Sequence, residues 1–169
     1  GLSSEHPFNW DKIKADPKRE FPNVEVRGSW YKTMSYNILH TGGFVRLCTL
    51  RGRAYWNAQN EQAHTTPDWK IHFSIALEDV GPAWNILAAL FMDMKCEIGM
   101  KATYLDESQW SASQRGREIT VYIYAYHHTY HGYMQDVVPD YDHEFYLGSG
   151  QVYNTPFWYT FITEAEQRL

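Results

Sequence analysis

The sequence is poor in cysteine, in positive charge and in long apolar runs, and each shortage argues against a class of protein. Its 169 residues include two cysteines, Cys48 and Cys96, without the spacing of zinc ligands, so we expect buried free thiols in a reducing, cytoplasm-like compartment. The net charge of −5 gives no electrostatic reason to expect nucleic-acid or membrane-surface binding. No apolar run reaches the length of a transmembrane helix.

What the chain has in abundance is aromatic and apolar side chains. Aromatic residues make up 17% and apolar residues 44% of the sequence, which argues against disorder and provides enough material for a packed core. No internal repeat or linker is visible. We therefore predict a single domain over residues 1–169.

The most informative stretch is the predicted strand at residues 69–77. Ile71, Phe73 and their alternating neighbours form an apolar face, whereas Lys70, His72 and Ser74 share the opposite face. A cation, an imidazole and a hydroxyl in one row make a candidate site. An amphipathic helix with Asp79 as its N-cap is predicted to follow this strand.

Three further segments have the period of strands, at residues 44–50, 95–104 and 118–126. The second places Lys101 on its polar face, and the third places Tyr122 and Tyr124 opposite Ile119 and Val121. Residues 24–36 fit a helix or a strand equally well, and short helices are predicted at 7–15 and 163–168. The pattern predicts an α+β fold, a twisted and mostly antiparallel sheet with a central amphipathic helix and shorter helices packed on it.

Three histidines, His127, His128 and His131, lie close together after the last predicted strand. The spacing invites a zinc interpretation, but the cluster follows a strand directly and Gly132 indicates a turn. We therefore predict no metal ligand and no cofactor in this protein.

The order of these motifs resembles the phosphothreonine lyase effectors of bacterial pathogens and the lyase domains of some lanthipeptide synthetases. The resemblance is carried by Lys70-Ile71-His72-Phe73-Ser74, by the tryptophan-containing helix, by Met100-Lys101-Ala102-Thr103 and by the strand that begins at Glu118. It covers about residues 69–126. The effectors are translocated into the host cytosol, where they inactivate MAP kinases.

The resemblance implies β-elimination of phosphate from a phosphorylated side chain, without metal. Lys101 would take the Cα proton as a neutral amine, which requires desolvation or neighbouring cations. His72 would protonate the departing phosphate, and Lys70 would stabilise the charge that develops on the substrate carbonyl. The partner would be a phosphoprotein or phosphopeptide, with a host kinase as the family's example.

Family members hold phosphate with several arginines, some of them near the C-terminus. The matching segment here, residues 153–161, contains no arginine, so the substrate stays open. Seven residues are candidates for substrate binding, and each has a polar or cationic side chain in or near a predicted strand. They are Arg51, Arg53, Ser74, Arg115, Arg117, Tyr122 and Tyr124.

Two other classes of function fit the same residues. His72-Phe73-Ser74 and His128-Thr129-Tyr130 could form the paired motifs of a two-histidine phosphoesterase that acts on a phosphodiester or cyclic nucleotide. The aromatic excess could instead form the surface of a noncatalytic partner-binding module. The phosphoesterase would need His128 and the lyase Lys101, whereas the binding module would need neither Lys70 nor His72.

Overall fold

The computed structural model describes residues 5–16, 21, 23–26, 34–41, 43–49, 70–94, 96, 99–103, 115–122 and 155–169. In these ranges the elements are, in chain order, α1 (Trp10–Ala15), β1 (Val24–Val26), β2 (Met34–Thr41), β3 (Phe44–Thr49), β4 (Lys70–Phe73), a 3-10 turn (Leu77–Asp79), α2 (Val80–Asp93), β5 (Gly99–Thr103), β6 (Ile119–Tyr122) and α3 (Thr155–Arg168).

The strands form one six-stranded sheet in the order β1-β2-β3-β5-β6-β4. Each neighbouring pair is antiparallel. Because β5 and β6 lie between β3 and β4, the strand that carries His72 is at one edge of this sheet. The predicted α+β class, with a mainly antiparallel sheet and a few helices, is confirmed.

The core lies on one face of the sheet, under α2. Alternate strand residues such as Leu47, Met100 and Val121 are buried there, together with Trp84 and Leu87 of the helix. The period of two in the strands and of three to four in α2 brings these apolar faces together. The predicted amphipathic helix after the central strand is therefore confirmed, with Asp79 at its N-cap position.

The N-terminal segment packs against α2 through aromatic rings and one asparagine. The rings of Trp10 and Trp84 lie 5.5 Å apart between centroids, and the side-chain oxygen of Asn85 accepts a hydrogen bond of 2.8 Å from the backbone N–H of Trp10. Trp84 Nε1 donates to the carbonyl of Phe8 at 2.9 Å. These contacts hold α1, the predicted short helix, on the core.

Two predictions of element bounds need correction, and one segment that was left open is settled. The central strand ends at Phe73, and not at Leu77, because the N–H of Ile75 donates at 2.9 Å to the side chain of Glu118 and not to a neighbouring strand. Residues 24–26 and 34–41 are strands, because pairing across the sheet outweighs the weak helical spacing in this segment. The C-terminal helix begins at Thr155, earlier than predicted.

Both cysteines have the predicted state. Cys48 and Cys96 are buried thiols without a disulfide bond; Cys48 lies in β3, and Cys96 lies between α2 and β5. No helix of the described ranges is long and apolar enough to cross a membrane.

Candidate functional site

Four polar side chains form a row across the sheet, on the face opposite the core. In the strand register Arg46 pairs with Lys101, Lys101 pairs with Thr120, and Thr120 pairs with His72. Directly opposed residues in antiparallel strands project to the same face. We call these four residues, Arg46, Lys101, Thr120 and His72, the polar row.

His72 and Lys101 are therefore on the same face, but their strands are not adjacent. Strand β6 lies between them, and Thr120 fills the intervening position. His72 Nδ1 lies 3.0 Å from Thr120 Oγ1, within hydrogen-bond distance. Because Thr120 is fully buried while His72 is exposed, the hydroxyl anchors a ring that remains accessible from solvent.

Lys101 lies in an aromatic setting. Its Nζ is 4.5 Å from the centroid of the Phe44 ring and 5.8 Å from that of the Tyr122 ring. Both distances are within the range of a cation–π contact. The two rings hold the amine in place at the centre of the sheet face, one strand away from the His72–Thr120 pair.

Arg46 of β3 is linked to β6 by a side-chain hydrogen bond with Tyr122. A guanidinium has only donors, so the phenolic oxygen of Tyr122 accepts. Burial lowers the pKa of Arg46, and its interaction with Tyr122 opposes this shift; the group stays charged at neutral pH. Burial raises the pKa of Tyr122 against the opposing effect of Arg46, so the phenol is neutral.

Sequence reasoning missed Arg46, although a signal was present. In β3 the buried residues Val45 and Leu47 flank it, so alternation alone places Arg46 on the face opposite the core. The prediction instead selected Arg51 and Arg53, because arginines beside a glycine at a strand end are a familiar pattern for anion binding.

Beyond the end of β4 the structure has a cleft of about 350 Å³, lined by residues 74–78, Arg115, Gly116 and Glu118. Two predicted substrate-binding residues, Ser74 and Arg115, are thus brought to one cleft. Its wall is organised by Glu118, which sequence reasoning also missed. The Glu118 carboxylate accepts from the N–H of Ile75 at 2.9 Å and from the N–H of Gly116 at 3.0 Å.

Some of the remaining predicted site residues lie at or near the polar row, and the others lie outside the described residues. The backbone of Lys70 pairs with that of Tyr122, so the register assigns both positions to the face of the polar row. Arg117 is exposed, and its charge opposes the rise in the pKa of Tyr122. Three predicted residues, Arg51, Arg53 and Tyr124, lie outside the described residues, as does the His127–His131 cluster.

Where side chains are described, no group of three or more histidine, cysteine, aspartate or glutamate residues could hold a metal ion. No family model matches the chain, and no curated protein and no solved structure matches it significantly. The main indication of function is therefore the geometry of the polar row.

Proposed function

We propose that this protein is a lyase that removes phosphate from a phosphorylated side chain by β-elimination, with phosphothreonine as the type of substrate. The observation that carries the proposal is the register that places Lys101 and His72 on one face, on either side of Thr120. An elimination needs a base and an acid that can reach neighbouring atoms of one substrate residue.

In this proposal Lys101 is the base. Its neutral amine takes the proton from Cα, and the electron pair of that C–H bond forms the double bond between Cα and Cβ. The position of Lys101 between the Phe44 and Tyr122 rings gives the amine a defined direction on the sheet face. Lys70 lies on the same face by register and would stabilise the negative charge that develops on the substrate carbonyl.

His72 is the acid. As the bond between Cβ and the phosphate oxygen breaks, the imidazolium gives its proton to the departing phosphate, so no water is consumed. Thr120 holds the ring through Nδ1 at 3.0 Å, which leaves Nε2 as the nitrogen directed away from β6. The exposed position of His72 at the sheet edge is compatible with the approach of a peptide substrate.

The two other classes make different demands. A two-histidine phosphoesterase would use His128 and would leave Lys101 without a role, and a binding module would tolerate loss of Lys101 and His72. The arrangement of Lys101, Thr120 and His72 in one row favours the lyase over both.

Mass spectrometry of peptides that carry phosphothreonine or phosphoserine, incubated with the protein in the presence of a chelator, tests the proposal. We expect a product lighter than the dephosphorylated peptide by one water. Lys101→Ala and His72→Asn should abolish this product, whereas Lys12→Ala, which removes an exposed lysine of α1, should leave it unchanged. Peptides that are unchanged, or only dephosphorylated, would contradict β-elimination; simple dephosphorylation or cleavage of a phosphodiester would favour the phosphoesterase.

A further inference from the structure

Arg46 is the one member of the polar row without a part in the elimination described above. It pairs with Lys101 on the side away from His72, so it lies too far along the row to interact with His72, the proposed acid. Its guanidinium nevertheless extends across β5 to Tyr122. The path is open because Gly99, the residue that lies between Cys48 and Tyr122 in the next row, has no side chain.

The register makes Arg46, which carries a permanent positive charge, the direct cross-strand neighbour of Lys101. A half-buried guanidinium cannot give up its proton at neutral pH, whereas an amine can. When two cationic groups share a partly desolvated site, the repulsion between them is relieved if the weaker base of the two loses its proton. In this pair that group is Lys101.

Other groups that face Lys101 act in both directions. The rings of Phe44 and Tyr122 favour the ammonium form, and the charge of His72, one strand beyond Thr120, disfavours it when the imidazole is protonated. Glu118, which lies just before β6, has its carboxylate bonded to the N–H groups of Ile75 and Gly116. Among the described residues, the register also places Lys70 and Cys48 on this face, and the charge of Arg117 acts on Tyr122.

We propose that Arg46 is a positioning residue that keeps Lys101 in its neutral, proton-accepting form and holds Tyr122 beside it. The proposal rests on the proposed function, since it assigns Arg46 a purpose through Lys101 as the base. It also explains how an amine held between two aromatic rings could serve as a base, because the guanidinium opposes the preference of the rings for a cation.

The protonation of Lys101 can be followed without any substrate. Acetylation by acetic anhydride modifies only the neutral amine, and peptide mass spectrometry reports its extent at each lysine as a function of pH. We expect Arg46→Gln to move the midpoint of Lys101 labelling to higher pH by about one unit. Arg46→Lys, which keeps a positive charge, should move it much less, and Arg168→Gln, which removes an exposed arginine of α3, should not move it.

The same variants are then compared for elimination. Arg46→Gln should shift the acid limb of the pH–rate profile in the same direction as the labelling midpoint, with recovery of activity at higher pH. A purely structural role would lower activity at every pH. If circular dichroism shows that Arg46→Gln is unfolded, Arg46→Met, which keeps the apolar stem of the side chain, takes its place.

The outcomes separate this inference from the proposed function. Elimination by the wild type together with an unchanged labelling midpoint in the folded Arg46 variant would overturn the inference and leave the lyase intact. A shifted midpoint without elimination of any phosphopeptide would support the coupling of Arg46 to Lys101 and overturn the lyase. A shift in Arg46→Lys as large as that in Arg46→Gln would overturn the role of charge.

Discussion

The ring of Trp10 lies directly against Gly81 of α2. A Cβ atom built at Gly81 would lie 2.7 Å from Trp10 Cδ1, closer than two carbon atoms approach in a packed protein, and 3.3 Å from Cγ. The atoms that would collide belong to a rigid ring that is buried between α1 and α2. The absence of a side chain at Gly81 is therefore what lets the N-terminal segment reach the core.

Gly81→Ala should destabilise the protein for this reason. Alanine in a helix is favoured over glycine by about 1 kcal/mol, but overpacking against the ring should cost about 1–3 kcal/mol, and we expect a net loss. Urea unfolding followed by circular dichroism measures the change. In the background of Trp10→Ala, where the ring is absent, Gly81→Ala should become neutral or stabilising; an equal loss in both backgrounds would contradict the contact.

The side chain of His6 should make stability depend on pH. Its Nδ1 accepts from the N–H of Phe8 at 3.2 Å, and its Nε2 lies 3.0 Å from the carbonyl of Asn85, so the ring is neutral with its proton on Nε2. Burial lowers the pKa of His6 from its ordinary value of 6.5, against the opposing effect of the Asn85 hydrogen bond. Protonation would place a second donor against Phe8.

The unfolded chain consequently binds more protons at position 6 than the folded chain does. The contribution of neutral His6 to stability is fully present above pH 6.5. It is lost as the pH falls through that value and through the lower folded-state pKa. Burial also lowers the pKa of His40, with Asp16 opposing the shift, so both histidines act in the same direction. The free energy of unfolding should fall by up to about 1.4 kcal/mol per pH unit for each histidine.

Urea unfolding at several pH values from neutral to mildly acidic conditions tests this prediction. His6→Gln keeps a donor for the Asn85 carbonyl but cannot titrate, so its stability should be lower at neutral pH and less dependent on pH than that of the wild type. His40→Gln isolates the second contribution. A pH dependence that is identical in the wild type and in His6→Gln would contradict the assignment.

Glu118 should be important for stability and for the shape of the cleft. It is 5% exposed, and its two carboxylate oxygens satisfy two backbone donors from separate segments. Glu118→Ala leaves both N–H groups without that acceptor, at a cost of about 2–4 kcal/mol.

Thermal and urea unfolding measure this loss, and Glu78→Ala is the matched control, because Glu78 lines the same cleft but is exposed. Glu78→Ala should change stability by less than about 0.5 kcal/mol. Equal effects of the two substitutions would show that the Glu118 bonds contribute little.

Thr120 should affect activity more than stability. Thr120→Val keeps the shape of the buried side chain and removes the hydroxyl that holds His72 Nδ1. Loss of one such hydrogen bond, about 1 kcal/mol, should reduce elimination by about five- to tenfold through the orientation of the ring. Thr120→Ser, which keeps the hydroxyl, should retain most of the activity. Full activity of Thr120→Val would remove Thr120 from the proposed site.

Alternation of apolar and polar residues was sufficient to predict which face each side chain of the site occupies. It placed His72 and Lys101 opposite the core, because a strand exposes successive residues to opposite faces whatever its neighbours are. The helix that follows was equally clear, since Val80, Trp84 and Leu87 repeat at helical spacing. These are local properties of the chain, so they follow from the order of its residues alone, as does the α+β class.

Which strands are neighbours depends on how the whole chain folds. Nothing local specifies that β6 lies between β4 and β5, yet this order makes Thr120 the link between His72 and Lys101. The partnership of Arg46 with Tyr122 and the bond of Glu118 to the N–H of Ile75 join residues far apart in the chain in the same way. Such contacts depend on register and on the packing of the whole sheet, so a pattern read along the chain cannot contain them.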